Sequence, residues 1–186
     1  MLFRLKTIEE VIQYVEHHPV GTQANLAFSL MLFLGARRGD AARLGPKNMK
    51  DGVMTYVPRK TKYKRLEPSL KPILPPLLEA IRRTPIWLQT FLVTSFGKPY
   101  IHAGLGEWCN EAGLPECSSH GLKKAAATIC ANMGATDRQL MALFDWQSEK
   151  QANVYTLKAN KTKLAADCAR LLRQFFGVAA DTARTG

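Results

Sequence analysis

The sequence has no apolar run of the roughly 18 to 20 residues that a membrane-spanning helix requires. Its longest apolar segment, residues 24–36, is interrupted by Asn25 and Ser29 and ends in Arg37-Arg38, so we interpret it as a buried helix. The N-terminal MLFRLKTIEE also lacks the basic and then apolar pattern of a secretory signal peptide. We therefore expect a cytoplasmic protein that has no membrane partner.

Cysteine is scarce, and its spacing does not suit a metal. The cysteines form no C-x-x-C pair and have no convincing zinc-ligand spacing with histidine. They are Cys109, Cys117, Cys130 and Cys168. We expect them to be reduced and mostly buried, and we expect no metal site.

Acidic residues are outnumbered, because 186 residues contain 15 Asp and Glu against 26 Lys and Arg, a formal net charge of +11. This excess favours a polyanionic partner, and many phosphate contacts would make binding strongly salt-dependent. A basic, well-solvated surface is the alternative that composition leaves open. The hydrophobic content of 46% and the chain length suit one globular domain with a full core.

Helical periodicity covers most of the chain, and turn-forming residues divide it into short elements. Thr136 and Gln139 have the spacing of a capping box. Residues 52–58 and 91–94 are predicted to be extended. The fold class that we predict is mainly α with a small antiparallel β-sheet near residue 60 (α+β). Helices are predicted over residues 7–18, from about 22, and over 40–44, 77–83, 104–112, 120–133, 136–144, 151–157 and 161–176.

Two segments carry residues suited to binding phosphate. His120 and Lys123 lie in the first turn of a predicted helix, where free backbone N–H groups and the helix dipole attract anions. Arg37 follows the apolar helix, and its planar fork suits bidentate contact with a phosphate. Asp40 could hold Arg37 in place or cap the next helical turn. Each feature alone is also explained as part of an ordinary amphipathic helix.

A basic segment and two aromatic residues complete the set. Residues 59–65, RKTKYKR, could form a hairpin tip that enters a groove and reaches phosphate, or a solvated loop. Trp146 and Tyr155 lie in the C-terminal helical region, where such side chains usually belong to a core or an interface. None of these features alone indicates a function, but their occurrence together in this order in one chain is a specific signal.

This ordered set resembles the active-site signature of the tyrosine recombinases, the phage-integrase family. Its members here are Arg37, Lys60, His120, Lys123, Trp146 and Tyr155. The resemblance extends over about residues 5–172, through FLGARRGDAARL, RKTKYKRL, FLVTSFGKPY, AGLPECSSHGLKKAAATICANMGAT and FDWQSEKQANVYT. It implies a DNA breaking-rejoining catalytic domain, which we assign to residues 1–177, with a disordered tail predicted over residues 178–186.

The resemblance implies a role for each reactive position. Tyr155 would attack the scissile phosphate and form a 3′-phosphotyrosyl bond, and Arg37 would bind the non-bridging oxygens. Lys60, or Lys62 in its place, would protonate the leaving 5′-oxygen, while His120 would assist proton transfer or bind the phosphate. No cofactor is implied, since the covalent intermediate retains the bond energy.

The resemblance also implies supporting positions and partners. Trp146 fills a slot usually held by histidine and can still donate its indole N–H, and Asp40 matches an acidic support position. Other basic residues would contact double-stranded DNA, namely Arg38, Arg59, Lys62, Lys64, Arg65 and Lys124. A homotetramer on DNA is implied, in which the helix at 161–176 is passed to a neighbour. Packing of that helix on its own domain is the alternative.

Two positions depart from the family pattern. Lys123 stands where the family has its second arginine, and lysine loses the fork that holds two phosphate oxygens. A lost contact of this kind slows the reaction roughly 10²- to 10³-fold. Asp145 puts a negative charge near the phosphate site, where we expect it to repel the phosphate. Residues 1–20 are too few for the family's N-terminal core-binding domain, so we expect a fragment or a truncated gene product.

The leading functional hypothesis is a site-specific recombinase or integrase that acts in integration or excision of a mobile element. The alternative, motivated by Lys123 and Asp145, is a catalytically impaired DNA-binding relic or accessory protein of the same fold. A type IB topoisomerase would share the chemistry, but the flanking strings resemble integrases.

Overall fold

The computed structural model describes residues 8–59, 67–86, 89–93, 105–117, 119–159 and 161–184. The helices are α1 (Ile8–His17), α2 (Gln23–Leu34), α3 (Arg38–Ala41), α4 (Pro75–Arg83), α5 (Leu105–Glu111), α6 (Ser119–Asn132), α7 (Asp137–Phe144), α8 (Glu149–Thr156) and α9 (Lys161–Arg184). The strands are β1 (Met49–Lys50), β2 (Val53–Tyr56) and β3 (Ser69–Pro72), with a 3₁₀ turn at Pro46–Asn48 before them. The predicted fold class, mainly α with a small antiparallel sheet, is confirmed.

Local chemistry sets the beginnings of several helices. Thr22 caps α2, because its side chain accepts a hydrogen bond from a backbone N–H of the first turn. Thr136 and Gln139 form the predicted capping box at the start of α7. The short helix α3 begins earlier than predicted, because Arg37 occupies its N-cap position in an extended conformation.

β2 is the central strand of the sheet and runs antiparallel to both β1 and β3. Tyr56 pairs with Ser69, and Met54 pairs with Lys71. β3 turns Ser69 and Lys71 inward while Leu70 is 64% exposed, which inverts the usual polarity of a half-buried strand. The basic segment connects β2 to β3, and its residues 60–66 lie outside the described residues.

The buried side chains form two clusters. The larger joins α2, α4 and the sheet, and the smaller joins α6, α7 and α8 around Leu140 and Phe144. Gly35, which ends α2 in the left-handed conformation (φ 61°), lets the two clusters meet. A Cβ at this position would overlap the carbonyl oxygen of Leu143 and lie 2.9 Å from the Phe144 ring. The ends of α2 and α7 therefore touch backbone to backbone.

α9 has an exposed apolar face. Leu164 packs against the smaller cluster, whereas four later side chains are each more than half exposed: Leu171, Leu172, Phe175 and Phe176. α9 also continues past the predicted helix end at residue 176 to Arg184, and so includes most of the segment predicted as a tail. The residues after Gly177, VAADTAR, are rich in alanine, which has a high helix propensity. Within the described ranges, no helix is both long and apolar enough to cross a membrane.

Replacing Gly35 by alanine should destabilise the protein by more than backbone strain alone. The left-handed conformation costs alanine about 1 kcal/mol, and overlap with Leu143 and Phe144 should add roughly 1–3 kcal/mol. Gly52→Ala is the matched control, because Gly52 also has a positive φ (75°) but no atom within 4 Å of a Cβ. Chemical denaturation measures both losses of unfolding free energy. Equal losses would contradict the close contact between α2 and α7.

Candidate functional site

Three of the predicted catalytic residues, together with the predicted DNA-binding residue Lys124, line one cavity. Lys123 comes from α6, Trp146 from the turn between α7 and α8, and Tyr155 from α8. The cavity has a volume of about 210 Å³ and is lined by Lys123, Lys124, Trp146, Gln151, Val154 and Tyr155. Folding therefore places two cations and the tyrosine around one space of a size suited to a small anionic group.

Aromatic stacking fixes the orientation of the tyrosine. The Tyr155 and Trp146 rings are stacked, with centroids 5.3 Å apart and an interplanar angle of 13°. Trp146 in turn lies against the buried Phe144, with centroids 5.0 Å apart. Such pairs stabilise by about 0.5–1.5 kcal/mol beyond burial. The stack thus anchors Tyr155 to the smaller core cluster.

Lys123 binds the carbonyl ends of two helices. Its Nζ donates to the carbonyl oxygens of Gly35, at 3.1 Å, and Phe144, at 2.7 Å, and lies 5.6 Å from the centroid of the Phe144 ring. These oxygens close α2 and α7, where helix dipoles favour a cation. Burial and the nearby Arg37 charge lower the pKa of Lys123 to about 8, although Asp145 opposes this shift. Lys123 therefore links the C-terminal ends of α2 and α7 and also places a charge beside the cavity.

Arg37 and Asp40 lie at a neighbouring cavity of about 360 Å³, which Gly39 and Arg59 also line. Arg37 is half-buried. The Asp40 carboxylate is buried and accepts hydrogen bonds from Arg43 Nη2 at 2.7 Å and from the Arg59 backbone N–H at 3.0 Å. In the described part of the chain, Asp40 therefore holds the first residues after β2 rather than the Arg37 side chain.

Asp145, which we expected to repel phosphate, lies in a buried ion pair. Asp145 is buried and accepts hydrogen bonds from Ser69 Oγ at 2.9 Å and Lys71 Nζ at 3.2 Å. Its charge is therefore balanced inside the protein. Sequence reasoning missed Lys71, because a lysine in a short strand gives no local signal of a partner in a distant turn.

Several predicted residues can be placed only in part. Lys60, Lys62, Lys64 and Arg65 lie outside the described residues. Position 120 lies in the first turn of α6, but the His120 side chain is outside the described part of the structure. Of the remaining basic positions, Arg38 and Arg59 are exposed, and Lys124 is half-buried at the cavity.

Across the described ranges, no group of three or more His, Cys, Asp or Glu side chains is placed to hold a metal ion.

Comparison with known proteins gives one family and one fold. The model of the phage integrase family matches residues 2–162. No curated protein matches the chain. Solved structures that share the fold include XerA recombinase, with a TM-score of 0.67 and 14% identity over 91% of this chain and 66% of XerA.

Two further structures with this fold contain DNA. A lambda integrase tetramer bound to a Holliday junction has a TM-score of 0.64 and 15% identity, over 81% of this chain and 49% of that one. A Tn1549 transposon integrase in complex with a circular intermediate DNA has a TM-score of 0.64 and 15% identity, over 91% of this chain and 66% of that one. The chain thus spans about half to two thirds of the length of these structures.

Proposed function

Because the chain belongs to the phage integrase family, we propose that it is a site-specific recombinase that cuts and rejoins double-stranded DNA through a 3′-phosphotyrosine. It would act in the cytoplasm during integration or excision of a mobile element. The observation that carries this proposal is the cavity that Tyr155 shares with Lys123, Lys124 and Trp146. Attack on a phosphodiester is aided by an oriented nucleophile and by cations near the charge that develops on the phosphate, and this cavity brings such groups together.

Cleavage is a transesterification at phosphorus. The Tyr155 oxygen loses its proton and bonds to phosphorus, the bond to the 5′-oxygen breaks, and that oxygen takes a proton to leave as a hydroxyl. Lys60 supplies this proton in the proposed mechanism, and His120 assists proton transfer or binds the phosphate. Rejoining is the reverse reaction with another 5′-hydroxyl, so no external energy source is needed.

The cations of the site stabilise the charge that grows on the non-bridging oxygens. Arg37 offers a fork of N–H donors from the second cavity. Lys123 has two of its three N–H donors directed at carbonyl oxygens. Lys71 pairs with Asp145 inside the protein, and this ion pair would reduce the extent to which that carboxylate offsets the charges of Lys123 and Lys124.

Tyr155→Phe should abolish covalent attachment to DNA and leave DNA binding within about twofold, since only the nucleophilic oxygen is lost. Adducts with nicked, randomised duplexes are scored on a denaturing gel, and binding is scored by fluorescence anisotropy. Tyr14→Phe is the matched control, because the Tyr14 hydroxyl bonds only to the Ala24 carbonyl oxygen in the described structure and should not affect attachment. Adducts that persist in Tyr155→Phe would remove Tyr155 from its role.

A second candidate function, a DNA-binding protein with impaired cleavage, is favoured by the contacts of Lys123. An ammonium that bonds to two carbonyl oxygens has one N–H left for phosphate. Arginine at this position has five N–H donors and could contact both the helix ends and the phosphate. The two candidates therefore differ in whether Lys123 still acts on the transition state.

Lys123→Arg should gain rate relative to the unmodified protein as pH rises. A pKa of about 8 means that Lys123 loses its proton as pH rises, so its charged fraction falls about tenfold between pH 7 and pH 9. Arginine stays charged over this range. The ratio of the two adduct rates should therefore rise about tenfold, with Lys124→Arg as the control variant.

A ratio that stays constant with pH would contradict a role for the Lys123 charge in cleavage. Adducts from the arginine form alone would mean that lysine disables an otherwise competent site. Adducts from neither form, with DNA binding retained, would favour the second candidate.

We also propose that the protein acts as a homotetramer on DNA, with α9 docked on a neighbouring copy. The support is the exposed apolar face of α9, on which Phe175 and Phe176 are 69% and 66% exposed. Apolar side chains of this size favour burial by about 1.5–3 kcal/mol each. A neighbouring copy would cover them.

Phe175→Ser combined with Phe176→Ser should raise the protein concentration needed for multimeric DNA complexes by at least about tenfold, because burial of two phenyl rings is lost. Mass photometry with duplex DNA counts the complexes. Ile12→Ser, which removes an apolar side chain that is 50% exposed on α1, is the control. Unchanged assembly of the double variant would exclude this face from the interface.

A further inference from the structure

We propose that Asp145 and Lys71 form a positioning pair that holds the turn between α7 and α8 against β3, and so fixes Trp146 and Tyr155 in place for cleavage. Its effect on cleavage rests on the proposed function, whereas its effect on the turn does not. Neither residue touches the reacting atoms in this proposal. Both act through the backbone that carries the stacked rings.

The pair joins two distant parts of the chain through a nearly water-free contact. The Asp145 and Lys71 side chains are 4% and 3% exposed. Asp145 Oδ1 accepts from Lys71 Nζ at 3.2 Å and from Ser69 Oγ at 2.9 Å, and the Tyr56 hydroxyl lies 3.5 Å from Oδ2. Lys71 Nζ also donates to the carbonyl oxygen of Ala142. Strand β3 thus bonds both to the last turn of α7 and to the residue that ends it.

Backbone geometry shows that Asp145 occupies a position at which a side chain is costly. It caps α7 in the left-handed conformation, with φ 53° and ψ 40°, where glycine avoids strain. Strand β3 likewise places two polar residues inward, Ser69 and Lys71, while Leu70 faces solvent. The left-handed Asp145 and the inward-facing Lys71 are each unfavourable alone, and they meet in one ion pair. The contact between β3 and the turn offers a single explanation for both features.

The pair lies between the elements that carry the proposed chemistry. On one side, Trp146 follows Asp145 directly and stacks on Tyr155. On the other side, β3 pairs with β2, with Tyr56 opposite Ser69, and these strands are joined by the basic segment. Burial, and then the charge of Asp145, raises the pKa of Tyr56, so its phenol keeps the proton that it can donate to Asp145. The hydrogen-bond network around Asp145 and Lys71 therefore links the turn next to Tyr155 with the two strands that the basic segment connects.

Three variants separate positioning from mere stability. Asp145→Asn and Lys71→Met each leave a buried polar partner without its counter-charge, and Asp145→Asn combined with Lys71→Met removes both charges. Two readouts are needed: amide hydrogen exchange of residues 142–156 in the free protein, and the rate of adduct formation at saturating nicked DNA. Glu149→Gln is the matched control, because it removes a carboxylate of α8 that is 67% exposed and 3.9 Å from Arg138. Lys71→Arg is the conservative variant that retains the charge.

Both single variants should speed exchange in the turn and α8 by roughly tenfold or more, and lower the adduct rate by a similar factor with little change in DNA affinity. The combined variant should regain thermal stability, since no buried charge is left unpaired, but keep the fast exchange and slow cleavage. Lys71→Arg should stay within about threefold of the unmodified protein in both readouts, and Glu149→Gln within about twofold.

Two results would overturn the positioning role. The first is wild-type exchange of α8 in the single variants, and the second is full recovery of exchange and cleavage in the combined variant, which would reduce the pair to charge balance. If the unmodified protein forms no adduct, the proposed function fails, and the exchange measurement alone decides whether the pair fixes the turn.

Discussion

The carbonyl-rich ends of α2 and α7 converge on the ammonium group of Lys123, and the arrangement of the site depends on this contact. Two helix C-termini carry partial negative charge and repel each other unless a cation lies between them. Gly35 permits the approach, because any side chain there would overlap α7. The contact fixes the end of α7, the next residues form the turn with Trp146, and Trp146 orients Tyr155.

A second cation, the buried Lys71, supports the same turn from the other side. Lys71 reaches the last turn of α7 from β3, while Lys123 reaches it from α6. Burying a charge is costly unless it is paired or well hydrogen-bonded. Asp145 meets that requirement for Lys71, and the two carbonyl oxygens meet it for Lys123. The turn is thus held by polar contacts on two faces, which restricts its position more than apolar packing alone would.

The sequence predicts those parts of this structure that depend on local chemistry. The capping box at Thr136 follows from residues that are neighbours in the chain, and the antiparallel pairing near residue 60 joins two strands that are consecutive in the chain. The ordered set of predicted site residues includes Lys123, Trp146 and Tyr155, and these three line one cavity. The partners of Lys123 and Asp145 are backbone carbonyls and a strand lysine more than 20 positions away. Neither periodicity nor spacing in the sequence indicates such contacts. From the sequence alone, Asp145 therefore has no recognisable partner for its charge.

The contacts of Lys123 and Asp145 change how the two departures from the family pattern combine. Taken from the sequence, a lysine in the arginine slot and an acid beside the tryptophan both weaken phosphate binding. In the folded chain Asp145 is paired with Lys71, so under the proposed function Lys123 is the departure that would contact the phosphate directly. The lysine differs from arginine in its number of hydrogen-bond donors. The Lys123 ammonium has three N–H groups and donates two of them to the helix ends, whereas a guanidinium has five. Under the proposed function, the site would keep its charge and its tyrosine but offer fewer directed hydrogen bonds to the transition state, which would lower the rate without requiring a different chemistry.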